Sequence, residues 1–161
     1  MTNDYESIKH ADVALVIGSN TTENHPVIGS WLKEQQKKGR TKLIVCDPRS
    51  IELNDYADIK VRHRSGSDVA LLNGLMNIII AEGLHDKEFI DKNVEKFDEL
   101  KALVAEYTPA KVSAITGVPE DTLKEAARLY ARGPNSAIFY TMGITQHQYG
   151  TNNVKTVADL A

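Results

Sequence analysis

Residues 12–18 read DVALVIG, and residues 19–26 read SNTTENHP. The first stretch is a nearly continuous apolar run, which is typical of a parallel strand that is buried on both faces. The second stretch is polar and leads to Pro26 in the first turn of a predicted helix, with Asn24 as its predicted cap. A buried strand followed directly by a helix is the repeating unit of a parallel α/β sheet.

The same alternation of strand and helix recurs along the chain. Apolar runs predict four strands, at residues 12–18, 41–46, 58–64 and 136–143. The third run is more polar than the others and is expected nearer an edge of the sheet. Helical spacing predicts the connecting helices, including a long one from Val69 to about Glu82. We therefore predict one α/β domain over residues 1–161, a three-layer Rossmann-like parallel sheet with helices on both faces.

The composition gives no reason to expect nucleic acid or a membrane as a partner. The chain of 161 residues has a formal net charge of −3. Its most apolar stretch, VALLNGLMNIIIA at residues 69–81, is shorter than the roughly 18 residues of a membrane span. The N-terminal MTNDYESIKH lacks the basic and apolar regions of an export signal, so we predict a cytoplasmic location.

Cysteine and histidine do not form a metal-binding pattern. The only cysteine, Cys46, excludes an internal disulfide and a cysteine-rich cluster site. His25 and His147 have no partner at the spacing of metal ligands, so we predict no metal held by this chain. Cys46 is predicted to pack at a strand end rather than to act as a nucleophile, because no histidine is placed to activate it.

Each predicted strand ends in a polar segment. These segments are GSNTTEN at residues 18–24, CDPRS at 46–50, RHRSGSD at 62–68 and TMGITQH at 141–147. The carboxyl ends of parallel strands meet at one edge of the sheet, and open α/β sheets bind their ligands there. We therefore expect the four segments to form one polar crevice.

Three charged residues in these segments each have two interpretations. Asp47 stands where dinucleotide-binding folds carry an acid that accepts ribose hydroxyls, or it is a turn aspartate before Pro48. Arg49 could pair with phosphate or form a surface salt bridge. Asp68 could accept the N–H donors of a guanine edge, or it could only cap the following helix and complement its dipole.

The first turn lacks the G-x-G-x-x-G pattern of an ordinary Rossmann domain. Glu23 near the start of a helix argues against a pyrophosphate on that turn, because both groups are anionic. A neutral or donor-bearing part of a ligand fits better, with Asn20 and Asn24 supplying amide contacts.

Taken together, the segments resemble the large (alpha) subunit of molybdopterin-dependent formate dehydrogenases, within the bis-molybdopterin guanine dinucleotide oxidoreductases. The stretches that carry the resemblance are ADVALVIGSNTTENHPV, LIVCDPRSIELNDYAD, SGSDVALLNGLMNIII and MGITQHQYGTNNV, with YTPAKVSAITGVP between them. CDPR alone occurs widely in that group, so the resemblance depends on all of the stretches in this order.

The resemblance implies a domain that grips one molybdopterin guanine dinucleotide. The positions carried over as cofactor-binding are Gly18, Asn20, Glu23, Asn24, Cys46, Asp47, Arg49, Gly66, Asp68, Met142, Gly143, Gln146 and His147. It implies that residues 18–24 line the first turn and that residues 46–49 border the nucleoside. It further implies that Gly66 and Asp68 meet the guanine and its ribose, and that residues 142–147 approach the pterin and the metal.

The resemblance also implies a longer parent subunit, in which formate is oxidised to carbon dioxide through molybdenum or tungsten and an iron–sulfur cluster. Its metal ligand and cluster lie outside this chain, so we expect no catalytic residue here and no activity from the isolated piece. The last predicted helix reaches residue 161 without a capping signal, which agrees with an excised domain. The implied partners are the remainder of the subunit and an iron–sulfur or other electron-transfer subunit.

Two alternatives remain open at this point. Another member of the same group, such as a nitrate reductase, would carry a similar domain. A non-redox nucleotide-binding domain belongs to a different class, and it would be expected to show a complete phosphate site.

Overall fold

The computed structural model describes residues 6–161 and contains a four-stranded, all-parallel sheet in the order β3-β2-β1-β4. The first five residues, part of the N-terminal stretch analysed for an export signal, lie outside the described residues. The strands are β1 (Val13–Ile17), β2 (Lys42–Cys46), β3 (Ile59–Val61) and β4 (Ser136–Tyr140). The predicted fold class is confirmed, and the polar third strand lies at an edge as expected.

Helices connect the strands and form most of the middle of the chain. They are α1 (Thr21–Asn24), α2 (Pro26–Lys37), α3 (Asp68–Ala81), α4 (Lys87–Asn93), α5 (Phe97–Val104), α6 (Pro109–Thr116), α7 (Glu120–Arg132), α8 (Met142–Thr145) and α9 (Gly150–Leu160). Two short 3-10 helices span Glu6–His10 and Glu52–Tyr56.

The central strand β1 contributes to a core on each face of the sheet. Because side chains alternate along a strand, Leu15 and Ile17 enter a core formed with α3, α7 and α9. Ala14 and Val16 enter a second core on the opposite face, against Leu32 of α2. All five β1 residues are buried, which explains the continuous apolar run in the sequence.

The most apolar helix, α3, is buried inside the domain. It packs against α6, α7 and α9, and its buried residues lie on several sides of the helix. Within residues 6–161, no helix combines the length and the apolarity needed to cross a bilayer.

Two short helices replace predicted turn and strand residues. The turn after β1 contains α1, and the amide of Asn24 already donates to the carbonyl of Asn20 at 3.0 Å. Asn24 therefore ends α1 and does not cap α2; His25 is the residue before that helix, without a side-chain cap bond, and Pro26 begins it. Strand β4 ends at Tyr140 rather than at residue 143, because α8 begins at Met142.

Candidate functional site

A cavity of about 420 Å³ opens where the carboxyl ends of the four strands meet. Its volume lies within the roughly 300–1,000 Å³ of small-molecule sites. Its lining comes from all four polar segments: Gly18, Asn20, Asn24, Asp47, Pro48, Arg49, His63, Ser65, Gly66, Asp68, Thr141, Met142, Gly143, Gln146 and His147. All of the predicted site residues except Glu23 and Cys46 lie in this lining.

Cys46 is excluded from the cavity because its side chain points into the core. It is 1% exposed and packs with Leu15 and Leu72 in the larger core. Burial raises the pKa of the Cys46 thiol well above its ordinary value, and the nearby carboxylates of Asp68 and Asp47 raise it further. The thiol is therefore a packed neutral group, as the sequence predicted, and it is not part of the cavity lining.

Glu23 lies on the exposed surface of α1, outside the lining. Its charge still acts on the cavity mouth. The pKa of Arg49 is raised mainly by its hydrogen bond and charge interaction with Asp47, and the Glu23 carboxylate adds to this. Glu23 thus contributes negative potential at the mouth rather than a contact inside.

One side of the cavity, which we call the β1–α8 wall, is formed by Gly18, Thr141 and Gly143. The carbonyl of Gly18 accepts a hydrogen bond from the amide of Gly143 at 3.0 Å and another from Thr141 Oγ1 at 3.1 Å. A Cβ added to Gly18 would lie 2.8 Å from the carbonyl carbon of Gly143, and a Cβ on Gly143 would collide with the Gly18 carbonyl oxygen. Both glycines are therefore required for close contact between two backbone segments.

The opposite side, the β3–α3 wall, is formed by His63, Gly66 and Asp68. Gly66 has φ +79°, and a Cβ at this position would meet nothing within 4 Å. Asp68 is the first residue of α3, and its Oδ1 lies 3.0 Å from His63 Nε2. The side chains of His63 and Asp68 are 1% and 4% exposed, so the charged carboxylate is held by a buried partner.

Four lining residues were not predicted from the sequence, namely Pro48, His63, Ser65 and Thr141, and His63 is the one that pairs with Asp68. Val61 ends β3, and buried and exposed residues continue to alternate through residue 64, so that Val61 and His63 are buried while Arg62 and Arg64 are exposed. This period of two could have indicated an inward-facing histidine. The partnership with Asp68 could not be inferred, since it depends on the turn at Gly66.

The hydrogen bond from His63 bears on the two interpretations of Asp68 that the sequence left open, a ligand acceptor or a helix cap. The residue before α3, Ser67, makes no side-chain cap bond, and its hydroxyl donates to the Arg64 carbonyl at 2.6 Å. Asp68 bonds to His63 instead of capping its own helix. Its position in the first turn still complements the helix dipole.

Asp47 and Arg49 form a charged turn at the cavity mouth. Oδ1 of Asp47 accepts from the amide of Arg49 at 2.8 Å and from its Nε at 3.2 Å. The Asp47 side chain is 2% exposed, whereas that of Arg49 is 66% exposed. Asp47 is thus a turn aspartate that also lines the cavity, and its partner Arg49 reaches solvent.

The remaining lining residues leave hydrogen-bonding groups accessible. Asn20 lines the cavity, and its Oδ1 accepts a hydrogen bond from Thr22 Oγ1 at 3.1 Å. Met142, Gln146 and His147 are exposed at the rim. Within residues 6–161, no group of three or more His, Cys, Asp or Glu side chains is arranged to hold a metal ion. The lining therefore suits an organic ligand that offers both donors and acceptors.

A second depression, of about 490 Å³, lies on the surface of α2 and contains none of the predicted site residues. It is lined mainly by Lys33, Lys37 and Tyr56 together with other charged groups. Its lysines are already engaged, since Lys33 pairs with the neighbouring Glu52 at 2.9 Å and both lysines lie over the Tyr56 ring. The cavity at the strand ends is therefore the candidate site.

Comparison with known proteins gives one consistent family. The chain matches the molybdopterin oxidoreductase family over residues 1–161. It is 41% identical over its whole length to F420-dependent formate dehydrogenase 2 subunit alpha of Methanococcus maripaludis, and it covers 24% of that protein. It is also 40% identical over 156 residues to a nitrate reductase of Symbiobacterium thermophilum, covering 91% of this chain and 21% of that protein.

A solved structure extends the likeness to three dimensions. Acetylene hydratase from Pelobacter acetylenicus aligns with a TM-score of 0.88 and 33% identity, over 95% of this chain and 21% of that one. The chain thus spans about a quarter or less of the length of the relatives it matches. The match over all 161 residues shows that the chain belongs to the molybdopterin oxidoreductase family.

Proposed function

We propose that this domain binds the guanine nucleotide end of molybdopterin guanine dinucleotide within the large subunit of a formate dehydrogenase. The observation that carries the proposal is the cavity at the strand ends, where the four polar segments meet around Asp68. A buried carboxylate at the wall of such a cavity selects a ligand edge that donates hydrogen bonds. Guanine offers such donors through its N1 and N2 positions.

The activities named for the relatives support a cofactor role over a role in substrate choice. Formate dehydrogenase, nitrate reductase and acetylene hydratase name three different reactions. All three proteins share this domain at 33–41% identity. A domain common to different reactions is best explained by the cofactor that the family shares.

Each wall of the cavity has a distinct part in the proposed binding. Asp68 accepts hydrogen bonds from the guanine edge, and the open position at Gly66 lets the ligand approach the backbone. Arg49, whose guanidinium is exposed at the mouth, pairs with a phosphate oxygen while Asp47 orients it. Asn20 supplies an amide donor near the first turn. Bound molybdopterin would carry the metal at which electrons are exchanged.

The proposal for the whole protein extends beyond this chain. We propose formate oxidation with bis-molybdopterin guanine dinucleotide, molybdenum or tungsten, and an iron–sulfur cluster held elsewhere in the subunit. The proposed partners are the rest of the subunit and an electron-transfer subunit, in the cytoplasm. The isolated chain is expected to show no formate-dependent dye reduction, and the loaded intact protein is expected to show it.

Nucleotide binding tests the domain's role directly. The intact protein, purified from a host that cannot make molybdopterin, is titrated with GMP and AMP by calorimetry. We expect GMP to bind at least about tenfold more tightly than AMP, because adenine presents its N1 acceptor to the carboxylate. The variant Asp68→Asn should lose most of this preference, because one of the two acceptor oxygens of the carboxylate is replaced by an NH2 group, which can only donate.

A matched control separates the site from general charge effects. Asp55 is exposed on the 3-10 helix Glu52–Tyr56 and lies outside the cavity lining. Asp55→Asn removes the same charge and should leave GMP affinity unchanged. Equal binding of GMP and AMP to the unaltered protein would contradict the proposal. If the cofactor-loaded intact protein reduced nitrate and did not oxidise formate, the proposed cofactor binding by this domain would stand. The proposed reaction of the whole protein would then be wrong.

A further inference from the structure

His63 and Asp68 form a buried hydrogen bond that packing alone does not explain. Nε2 and Oδ1 are 3.0 Å apart, and both side chains are almost fully buried. His63 Nδ1 is also buried and has no hydrogen-bond partner within the part of the chain that the structure describes. A buried imidazole that satisfies only one of its nitrogens is unfavourable compared with an apolar side chain of similar size.

The chemistry of the acceptor fixes the direction of this bond. An ionised carboxylate has only acceptor atoms, so His63 Nε2 donates and Asp68 Oδ1 accepts. Each carboxylate oxygen can accept more than one hydrogen bond. The bond from His63 therefore orients the carboxylate and leaves it able to accept donors from a ligand.

Asp68 depends on this support because its own helix does not hold it. The side chain begins α3 and could rotate toward solvent or toward the helix amides. Within residues 6–161, the Asp68 side chain makes no hydrogen bond other than the one from His63. Removing the imidazole would free the carboxylate to rotate and would leave a nearly buried charge without a donor.

We propose that His63 is a positioning residue that orients the Asp68 carboxylate for recognition of the guanine 2-amino group, an inference that rests on the proposed function. A carboxylate held in one plane can accept N1–H and N2–H of guanine together, one on each oxygen. A carboxylate that rotates accepts N1–H in many orientations but loses the fixed second contact. His63 therefore acts on the discrimination between bases that differ only at the 2-position.

Hypoxanthine provides the probe for this discrimination, because it keeps N1–H and lacks the 2-amino group. The intact cofactor-free protein is titrated with GMP and IMP by calorimetry. For the unaltered protein, we expect GMP to bind at least about tenfold more tightly than IMP, the factor typical of one hydrogen bond to a charged acceptor. In His63→Leu, the ratio should fall to about twofold, mainly through weaker binding of GMP.

The conservative variant His63→Gln supplies the matched control. The glutamine Nε2 lies the same number of bonds from the backbone as the histidine Nε2, so it can donate to Asp68. We expect the ratio of GMP to IMP affinity to return to at least half of its original value. A purely structural role for His63 would weaken both nucleotides by the same factor and leave the ratio unchanged.

The outcomes separate this inference from the function on which it rests. A strong preference for GMP over IMP that persists in His63→Leu would overturn the positioning role and leave guanine binding intact. Failure of the unaltered protein to bind GMP would overturn both. Should His63→Leu fail to fold, the double variant His63→Gln with Asp68→Asn is compared with Asp68→Asn alone. Equal ratios in these two proteins support the inference, since His63 then acts only through Asp68, and unequal ratios contradict it.

Discussion

The two walls lie on opposite sides of one cavity, and their glycines serve opposite purposes. In the β1–α8 wall, Gly18 and Gly143 are in such close backbone contact that neither position has room for a methyl group. In the β3–α3 wall, Gly66 faces open space, and the neighbouring Asp68 carries a carboxylate that can accept further hydrogen bonds. The first wall is closed by the protein itself, and the second is open to a ligand. A glycine-rich rim is therefore not uniformly a binding surface.

The largest expected effect comes from adding a methyl group to the closed wall. Gly143→Ala would drive its Cβ into the carbonyl of Gly18 and break the hydrogen bond that joins the two segments. We expect the free energy of unfolding to fall by about 3 kcal/mol or more, because backbone on both sides must move. Urea unfolding of the 161-residue chain measures this change.

Gly66→Ala is the matched variant in the open wall. Its Cβ would meet nothing, so only the left-handed φ of +79° opposes it. The expected loss of stability is about 1–2 kcal/mol. Equal losses for the two variants would contradict the view that the first wall is closed by backbone contact and the second is open.

The sequence predicted which segments form the two walls, but it did not predict the contact between distant segments. The apolar run of β1 and the polar segments at the strand ends follow from local patterns, and these patterns were sufficient to predict the parallel sheet and most of the residues that surround the cavity. The contact between Gly18 and Gly143 joins distant parts of the chain, and no local pattern encodes such an approach.

The short helices and the buried pair were missed for related reasons. Helices α1 and α8 are single turns, too short to give a periodic signal. The bond between His63 and Asp68 requires the chain to reverse at Gly66, and its existence depends on that backbone geometry. The residue types predicted Asp68 as a hydrogen-bond acceptor for a ligand, but they could not predict that the His63 side chain would bond to it.

A smaller effect is expected where β3, which leads to the open wall, joins the sheet. Asp58 accepts hydrogen bonds from Lys42 Nζ at 2.8 Å and from the amide of Leu43 at 2.9 Å. Burial alone would raise the pKa of Asp58, but these hydrogen bonds outweigh it and leave the pKa below its ordinary value of 3.8. Because the folded-state pKa is lowered, the stabilisation is present above pH 3.8 and is lost as the pH falls through the folded-state value.

Asp58→Asn tests this linkage. At neutral pH the variant should be less stable by about 1 kcal/mol, the typical value of one such hydrogen-bonded contact. The difference should shrink as the pH falls below 3.8 and through the lower folded-state pKa, where the Asp58 carboxylate of the unaltered protein becomes protonated in the folded state. Urea unfolding at several pH values measures it, with Asp55→Asn as the exposed control. A difference that stays constant down to low pH would show that the Asp58 charge is not responsible.

The smallest effect on stability is expected at Arg49, which lies at the mouth between the two walls. Its guanidinium is mostly exposed, and Asp47 would keep the backbone hydrogen bond at 2.8 Å after Arg49→Ala. The free energy of unfolding should therefore change by less than about 0.5 kcal/mol, as for other surface ion pairs. The affinity of the cofactor-free intact protein for GMP should nevertheless fall several-fold, because a phosphate loses its charged donor.

The salt dependence of GMP binding tests whether Arg49 contacts phosphate at the open mouth or only supports the turn at Asp47. If Arg49 binds phosphate at the open mouth, raising the salt should weaken GMP binding in the unaltered protein more than in Arg49→Ala, because solvent-exposed charges are screened. Arg49→Lys keeps the charge but not the planar fork, so it should give an intermediate affinity with the original salt dependence. A loss of stability without a change in salt dependence would instead assign Arg49 to the closed part of the structure, as a residue that supports the turn at Asp47.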